Sequence, residues 1–183
     1  MKADETDFQK IYDEFQPRIL HYLTRLAGES EAEDLTQEAF AKISQNLTTF
    51  RGESQISTWI YRIATNLAID KARFAASRKE TEQKPLDDPD QVEDRDLWTG
   101  EEAPSLERLL MRKEMYECFI DFVKTLPANY RMVVVLADLE EFSNREIAEI
   151  LGLSLDAIKI RLHRGRARLF QELKAHCKAE DWL

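Results

Sequence analysis

Residues 143–168 read SNREIAEILGLSLDAIKIRLHRGRAR, and this stretch decides the fold. Ser143 followed by Glu146 is a capping box, two side chains that satisfy the free N–H groups at a helix start. It opens a short helix through Ile147, Ala148 and Leu151. Leu151-Gly152-Leu153 then turns the chain, because glycine readily adopts the left-handed backbone that ends a helix. Ser154 caps a second, longer helix. Short helix, glycine turn and long helix make a helix-turn-helix.

At about 100° per residue, Leu155, Ile158, Leu162, Gly165 and Leu169 line one inward stripe of the long helix. Asp156, Ile160, His163, Arg164 and Ala167 face away, flanked by Lys159 and Arg166 on one side and Arg161 and Arg168 on the other. Five cations stand between Lys159 and Arg168 with no acid among them. A helix entering the DNA major groove needs this division: central side chains reach base edges while flanking cations neutralise phosphates. A solvated basic face is the plainer reading of a charge run. The capping box, the glycine turn and Ile160, suited to a thymine methyl, favour DNA recognition. His163 has no carboxylate beside it in sequence to orient it as a base, so a groove or phosphate contact is expected.

Working back along the chain, Leu106, Leu109, Leu110, Met115, Phe119, Phe122, Val123 and Leu126 predict a helix ending near Pro127. A further helix runs from Ala128 to about Leu139, and its apolar run Met132–Ala137 should be largely buried. Near the start of the chain, Phe8, Ile11, Tyr12, Phe15, Ile19, Leu23 and Leu26 recur at helical spacing. Pro17 predicts a break or kink there, and Gly28 a stop. Ser30 with Glu33 predicts a capping box for a helix through Leu35, Ala39, Phe40, Ile43 and Leu47. After the polar loop Thr48–Ser57, a third helix carries Trp59, Ile60, Ile63, Leu67 and Phe74 on one face. With five glycines, five prolines and 43% hydrophobic residues, the composition also favours helices over strands.

The formal net charge of −9 seems to argue against a nucleic-acid partner until it is mapped. Between Glu80 and Glu107 stand eleven acids against Lys84 and Arg95, so that segment carries the whole excess. It also holds Pro85, Pro89 and Pro104, and only Leu86, Val92, Leu97 and Trp98 are sizeable apolar residues. A flexible acidic linker over 80–105 is expected, between helical domains at 1–79 and 106–183. No run of about 18 apolar residues occurs, and the acidic start lacks the basic and apolar parts of a signal peptide. A soluble, cytoplasmic protein is expected.

Two further faces carry information. Arg62, Asn66, Ile69 and Arg73 share a stripe of the third helix, and the loop around Phe50, Arg51, Gly52 and Ser54–Ser57 suits an unstacked base. Trp59 reads as core packing. Glu31, Glu33, Asp34 and Glu38 make an acidic face with only Lys42 as a nearby cation. Adjacent Glu33 and Asp34 point apart and no histidine joins them, so docking to a basic protein surface is preferred over metal-dependent hydrolysis. Cys118 and Cys177 are far apart, and no second Cys/His pair completes a metal site with His176 and Cys177.

Together these segments resemble the extracytoplasmic-function branch of the bacterial sigma-70 family, over nearly the whole chain outside the linker. Ala32-Glu33-Asp34-Leu35-Thr36-Gln37-Glu38-Ala39-Phe40 is similar to the family's polymerase-docking helix. The resemblance implies contact with the β′ clamp through Asp34, Leu35, Gln37, Glu38 and Phe40. Trp59-Ile60-Tyr61-Arg62-Ile63-Ala64-Thr65-Asn66 resembles the segment that reads and melts the −10 element. Phe50, Arg62, Asn66, Asp70 and Arg73 are the residues implied there. Leu126-Pro127, Tyr130-Arg131 and residues 147–166 are similar to the −35-binding domain. Lys159, Ile160, Arg161, His163, Arg164 and Arg166 are the contacts implied.

The fold implied is all-α, with a region 2 bundle and a region 4 helix-turn-helix. The partners implied are core RNA polymerase (β′ clamp and β subunit), promoter DNA and an anti-sigma factor of the kind often anchored in the inner membrane. No cofactor, small-molecule substrate or catalytic residue is implied. The rival reading is a conventional repressor or activator that binds duplex DNA as a dimer. It would need a dimer helix and a sensor domain, and neither is evident.

Overall fold

The computed structural model describes residues 5–79 and 113–176. Among them all regular structure is helical: α1 (Glu5–Ala27), α2 (Glu29–Asn46), α3 (Ile56–Lys79), α4 (Lys113–Thr125), α5 (Ala128–Val134), α6 (Asn144–Leu151) and α7 (Leu155–His176). A 3-10 turn, Leu47–Thr49, follows α2, and a π-helical turn, Val135–Leu139, prolongs α5. The expected linker, residues 80–105, lies outside the described residues, as do 106–112 and Cys177.

In the N-terminal group the expected break at Pro17 does not occur: α1 is one helix with the proline inside it. Pro17 lies on the exposed side, where the carbonyl of Asp13 that loses its donor can turn to water, while buried Phe15 and Ile19 hold both halves on one core. Gly28 alone links α1 to α2. Its φ of 90° turns the chain, and its N–H closes on Thr24 C=O at 3.0 Å. The expected Ser30–Glu33 box is therefore absent, because α2 starts at Glu29 with Gly28 as its cap and Ser30 falls within the first turn. Phe15, Ile19, Tyr22 and Leu23 of α1 pack on Leu35, Ala39 and Ile43 of α2 and on α3.

The buried stripe of α3 is rotated from the predicted one. Ile60, Tyr61, Ala64, Thr65, Leu67 and Ala68 are buried, whereas Trp59 and Ile63 are half-buried and Phe74 is 63% exposed. The cause is that α3 packs against α1 and α2 and also against α6 of the C-terminal group. A helix gripped on two sides buries more than one stripe of apolar spacing.

In the C-terminal group α7 crosses α4, α5 and α6, burying Ile158, Leu162, Gly165, Leu169 and Leu173. The run Val133–Leu136 is fully buried, and Met132 and Ala137 are half-buried. The buried residues of both groups form one contiguous cluster. At the junction Tyr61 meets Phe142 edge-on at 4.7 Å, and Arg131 donates to Leu26 C=O at 3.1 Å. Burial lowers the pKa of that arginine.

Burial raises the pKa of Tyr22 above the ordinary 10.0; its hydroxyl lies 2.7 Å from Thr65 Oγ1. Tyr61 is raised as well, first by burial and then by its hydrogen bond to Glu140 and that residue's charge. Both folded-state values exceed the unfolded ones, so the fold favours the neutral phenols. Their contribution is complete below pH 10.0 and declines as pH rises beyond it. Helical content followed by circular dichroism should be level from neutral pH to about 9 on this account and fall above 10. Tyr61→Phe should blunt the alkaline loss.

Candidate nucleic-acid interface

Local chemistry builds the helix-turn-helix as its sequence requires. Glu146 N–H donates to Ser143 Oγ at 3.4 Å, and Ser143 N–H donates to Glu146 Oε2 at 2.8 Å. Gly152 takes φ 65°, and Leu153 N–H closes on Ala148 C=O at 3.1 Å. Ala157 N–H donates to Ser154 Oγ at 3.2 Å, starting α7.

On α7, Lys159 and Ile160 are exposed, and Arg161, His163 and Arg164 are partly so. Arg166, expected as a DNA contact, is partly exposed and has an acidic partner on its own chain. Its guanidinium pairs with the buried carboxylate of Asp138, with Nε donating to Oδ2 at 3.2 Å, and this anchors α7 to the π-helical turn. Arg168 lies over the Tyr130 ring at 5.0 Å, so a second flanking cation also serves packing. His176 rests against Phe122 at 5.2 Å. Among the described residues no cluster of three or more His, Cys, Asp or Glu side chains suits a metal.

On the N-terminal group Asn66, Asp70 and Arg73 are exposed along α3, and Arg62 is half-buried. Phe50 and Trp59 face each other with centroids 5.2 Å apart, and they line an open cleft of about 480 Å³ with Arg51, Ser54 and Arg62. Two rings and two guanidinium groups around one cleft suit a splayed base and its phosphate. Trp59, expected to pack in the core, is half-buried: it packs against the core cluster and also lines this wall. Glu149 of α6 completes the lining, and no sequence signal marked it.

On α2, Glu33, Asp34, Gln37 and Glu38 are exposed. Glu38 pairs with Lys42 at 3.3 Å. Glu31 pairs with Lys71 of α3 at 2.6 Å and raises the pKa of that lysine, a partner the sequence did not indicate. Leu35 and Phe40, expected among the docking contacts, are buried at 3% and 4% exposure. They support the surface from below. Phe40 meets Tyr12 edge-on at 4.9 Å at the base of a groove that Gln16, Glu33 and Gln37 also line.

The chain matches two family models, Sigma-70 region 2 over residues 11–78 and Sigma-70 region 4 over 116–169. It is 33% identical to the ECF RNA polymerase sigma factor SigW of Bacillus subtilis, covering 94% of this chain and 92% of that one. It is 29% identical to the ECF RNA polymerase sigma-E factor of Escherichia coli K12, covering 90% and 85%. Among solved structures it is similar to the sigma factor RpoE in complex with the anti-sigma factor NepR from Bartonella quintana, with TM-score 0.68, 22% identity and coverage of 93% and 98%. It is also similar to CnrH in complex with the cytosolic domain of CnrY, with TM-score 0.65, 21% identity and coverage of 95% and 92%.

Proposed function

The chain belongs to the extracytoplasmic-function branch of the sigma-70 family, and from this we propose that it binds core RNA polymerase and directs promoter-specific initiation. Region 2, over 1–79, reads and opens the −10 element. Region 4, over 106–183, reads the −35 element, and residues 80–105 join them as an acidic linker. Bond formation belongs to the polymerase, and this chain supplies recognition. The observation that carries this reading is the presence on one chain of a capped helix-turn-helix with a basic helix and of an aromatic, arginine-lined cleft on a second helical group.

Asp34, Gln37 and Glu38 are the polymerase contacts, on a helix that Leu35 and Phe40 hold in place. Phe50, Arg62, Asn66, Asp70 and Arg73 act at −10. Lys159, Ile160, Arg161, His163 and Arg164 act at −35, with Arg166 positioning their helix. The regulator is an anti-sigma factor, by analogy with the RpoE–NepR complex. Among the described residues no helix is long and apolar enough to cross a membrane.

Co-purification with core polymerase followed by run-off transcription on genomic fragments tests the reading. Discrete transcripts that need both components are expected. Nanomolar binding to a palindromic duplex without polymerase would instead indicate a conventional repressor. Arg164→Ala should weaken −35 recognition by about 1–3 kcal/mol, most on the preferred sequence, if the guanidinium reads a guanine. Gel-shift titrations on matched and scrambled duplexes separate that result from the uniform loss expected of a phosphate contact.

A further inference from the structure

Arg166 reaches the edge of the recognition face already held by an acid. Its Nε donates to Asp138 Oδ2 at 3.2 Å, and its Nη2 donates to Oδ1 of the same carboxylate. The acid is buried, with its side chain 7% exposed, whereas the arginine side chain is 35% exposed. Asp138 sits in the π-helical turn Val135–Leu139, closed by Glu140 N–H on Val135 C=O at 3.0 Å, and single π turns are frequent at functional sites. Arg166 follows Lys159 by two turns on one flank of α7, a rise of about 10 Å.

A side-on pair of this kind fixes the plane of a guanidinium as well as its position. Departure of Arg166 would leave a buried carboxylate without its counter-charge, so the pair persists when DNA arrives. The exposed remainder of the fork then offers N–H donors in one fixed direction. Lys159, exposed on the same flank, is by contrast a point charge on a flexible stem that follows a phosphate in any register. Phosphate contacts carry no sequence information of their own, but a rigid one is made only where the helix already lies correctly against the backbone. Its ordering cost falls on folding and not on binding.

We propose that Asp138 is a positioning residue that sets −35 specificity through Arg166: it holds the guanidinium so that it meets a backbone phosphate only when α7 lies in its base-reading register. The inference rests on the −35 reading of α7. Asp138 also offsets the charge that would otherwise let Arg166 grip any DNA, so its loss should make binding less selective rather than weaker.

The test uses holoenzyme reconstituted from core polymerase and the full-length chain. Gel-shift titrations over a range of potassium chloride concentrations compare a promoter fragment from the run-off assay with the same fragment carrying a scrambled −35 element. Asp138→Asn keeps the side-chain shape and removes the charge. It should tighten binding to the scrambled fragment about fivefold, as one added phosphate contact would. The slope of log affinity against log salt on that fragment should steepen by about 0.9. Binding to the intact promoter should not tighten, so discrimination falls about fivefold. The double variant Asp138→Asn with Arg166→Gln should return the scrambled fragment to wild-type affinity and slope, while the promoter binds more weakly than in wild type. An equal change on both fragments, or none, overturns the proposal, as does a gain on scrambled DNA that survives in the double variant. If circular dichroism shows Asp138→Asn to be unfolded, the double variant, which strands no charge, decides: discrimination equal to wild type overturns the proposal. A wild-type holoenzyme that binds both fragments alike shows instead that the −35 reading of α7 fails, and the proposal with it.

Discussion

Asp34→Lys together with Glu38→Lys should reduce affinity for core RNA polymerase by about a hundredfold or more while leaving the helical content unchanged. Both side chains are exposed on α2, so the fold has little stake in them. A docking surface that meets cations would instead suffer like-charge opposition, which costs on the order of several kcal/mol. The Glu38–Lys42 pair complicates the expectation only slightly. Both partners are about half exposed, and such a pair contributes only a few tenths of a kcal/mol. Lys42→Ala should therefore leave docking unchanged or improve it. Pull-down against immobilised core polymerase measures the effect, and loss of helical signal in the double variant would show these carboxylates to be structural.

Gly165→Leu should destabilise the protein by about 3 kcal/mol, because α7 passes α5 where no side chain fits. A Cβ at that position would stand 2.8 Å from Val134 Cγ2 and 3.4 Å from Tyr130 Cβ. Val134 is fully buried and β-branched, so it has no rotamer freedom with which to yield. Better helix propensity recovers only about 1 kcal/mol of the loss. Gly165→Ala brings the same Cβ against Val134 and should destabilise too, by less than Gly165→Leu because it adds no atoms beyond Cβ. Thermal unfolding measures the pair: a fall of more than about 10 °C is expected for leucine, and an unchanged midpoint would mean that α5 and α7 separate freely. The recognition helix should lose its seat at the same time, so −35 binding should fall with stability.

The helix-turn-helix was legible because its signals are local. A capping box spans four positions, and a glycine turn needs one residue with a left-handed backbone, so Ser143, Glu146, Gly152 and Ser154 do in the structure what their spacing predicts. Two other local signals misled. Ser30 and Glu33 have the same spacing, yet Gly28 had already started the helix. Pro17 reads as a break, yet burial on both sides of it outweighs one missing hydrogen bond.

The sequence by itself determined the all-helical class, the helix-turn-helix with its basic second helix, the acidic face of α2 and the family. Each rests on residues within a few turns of one another, where propensity, capping and periodicity act. Tertiary structure alone decided which charges are spent on the fold. Glu140 and Glu149 look like ordinary solvated acids, and Arg166 looks like another DNA-facing cation. Yet Glu140 is bound to Arg25, 115 positions away, and to Tyr61, 79 away; Arg166 is bound to Asp138. No periodicity encodes such partners. They meet because burying Tyr61, Phe142 and their neighbours in one continuous core brings the two groups together, and a charge carried into that contact must find its counter-charge there or not be buried at all.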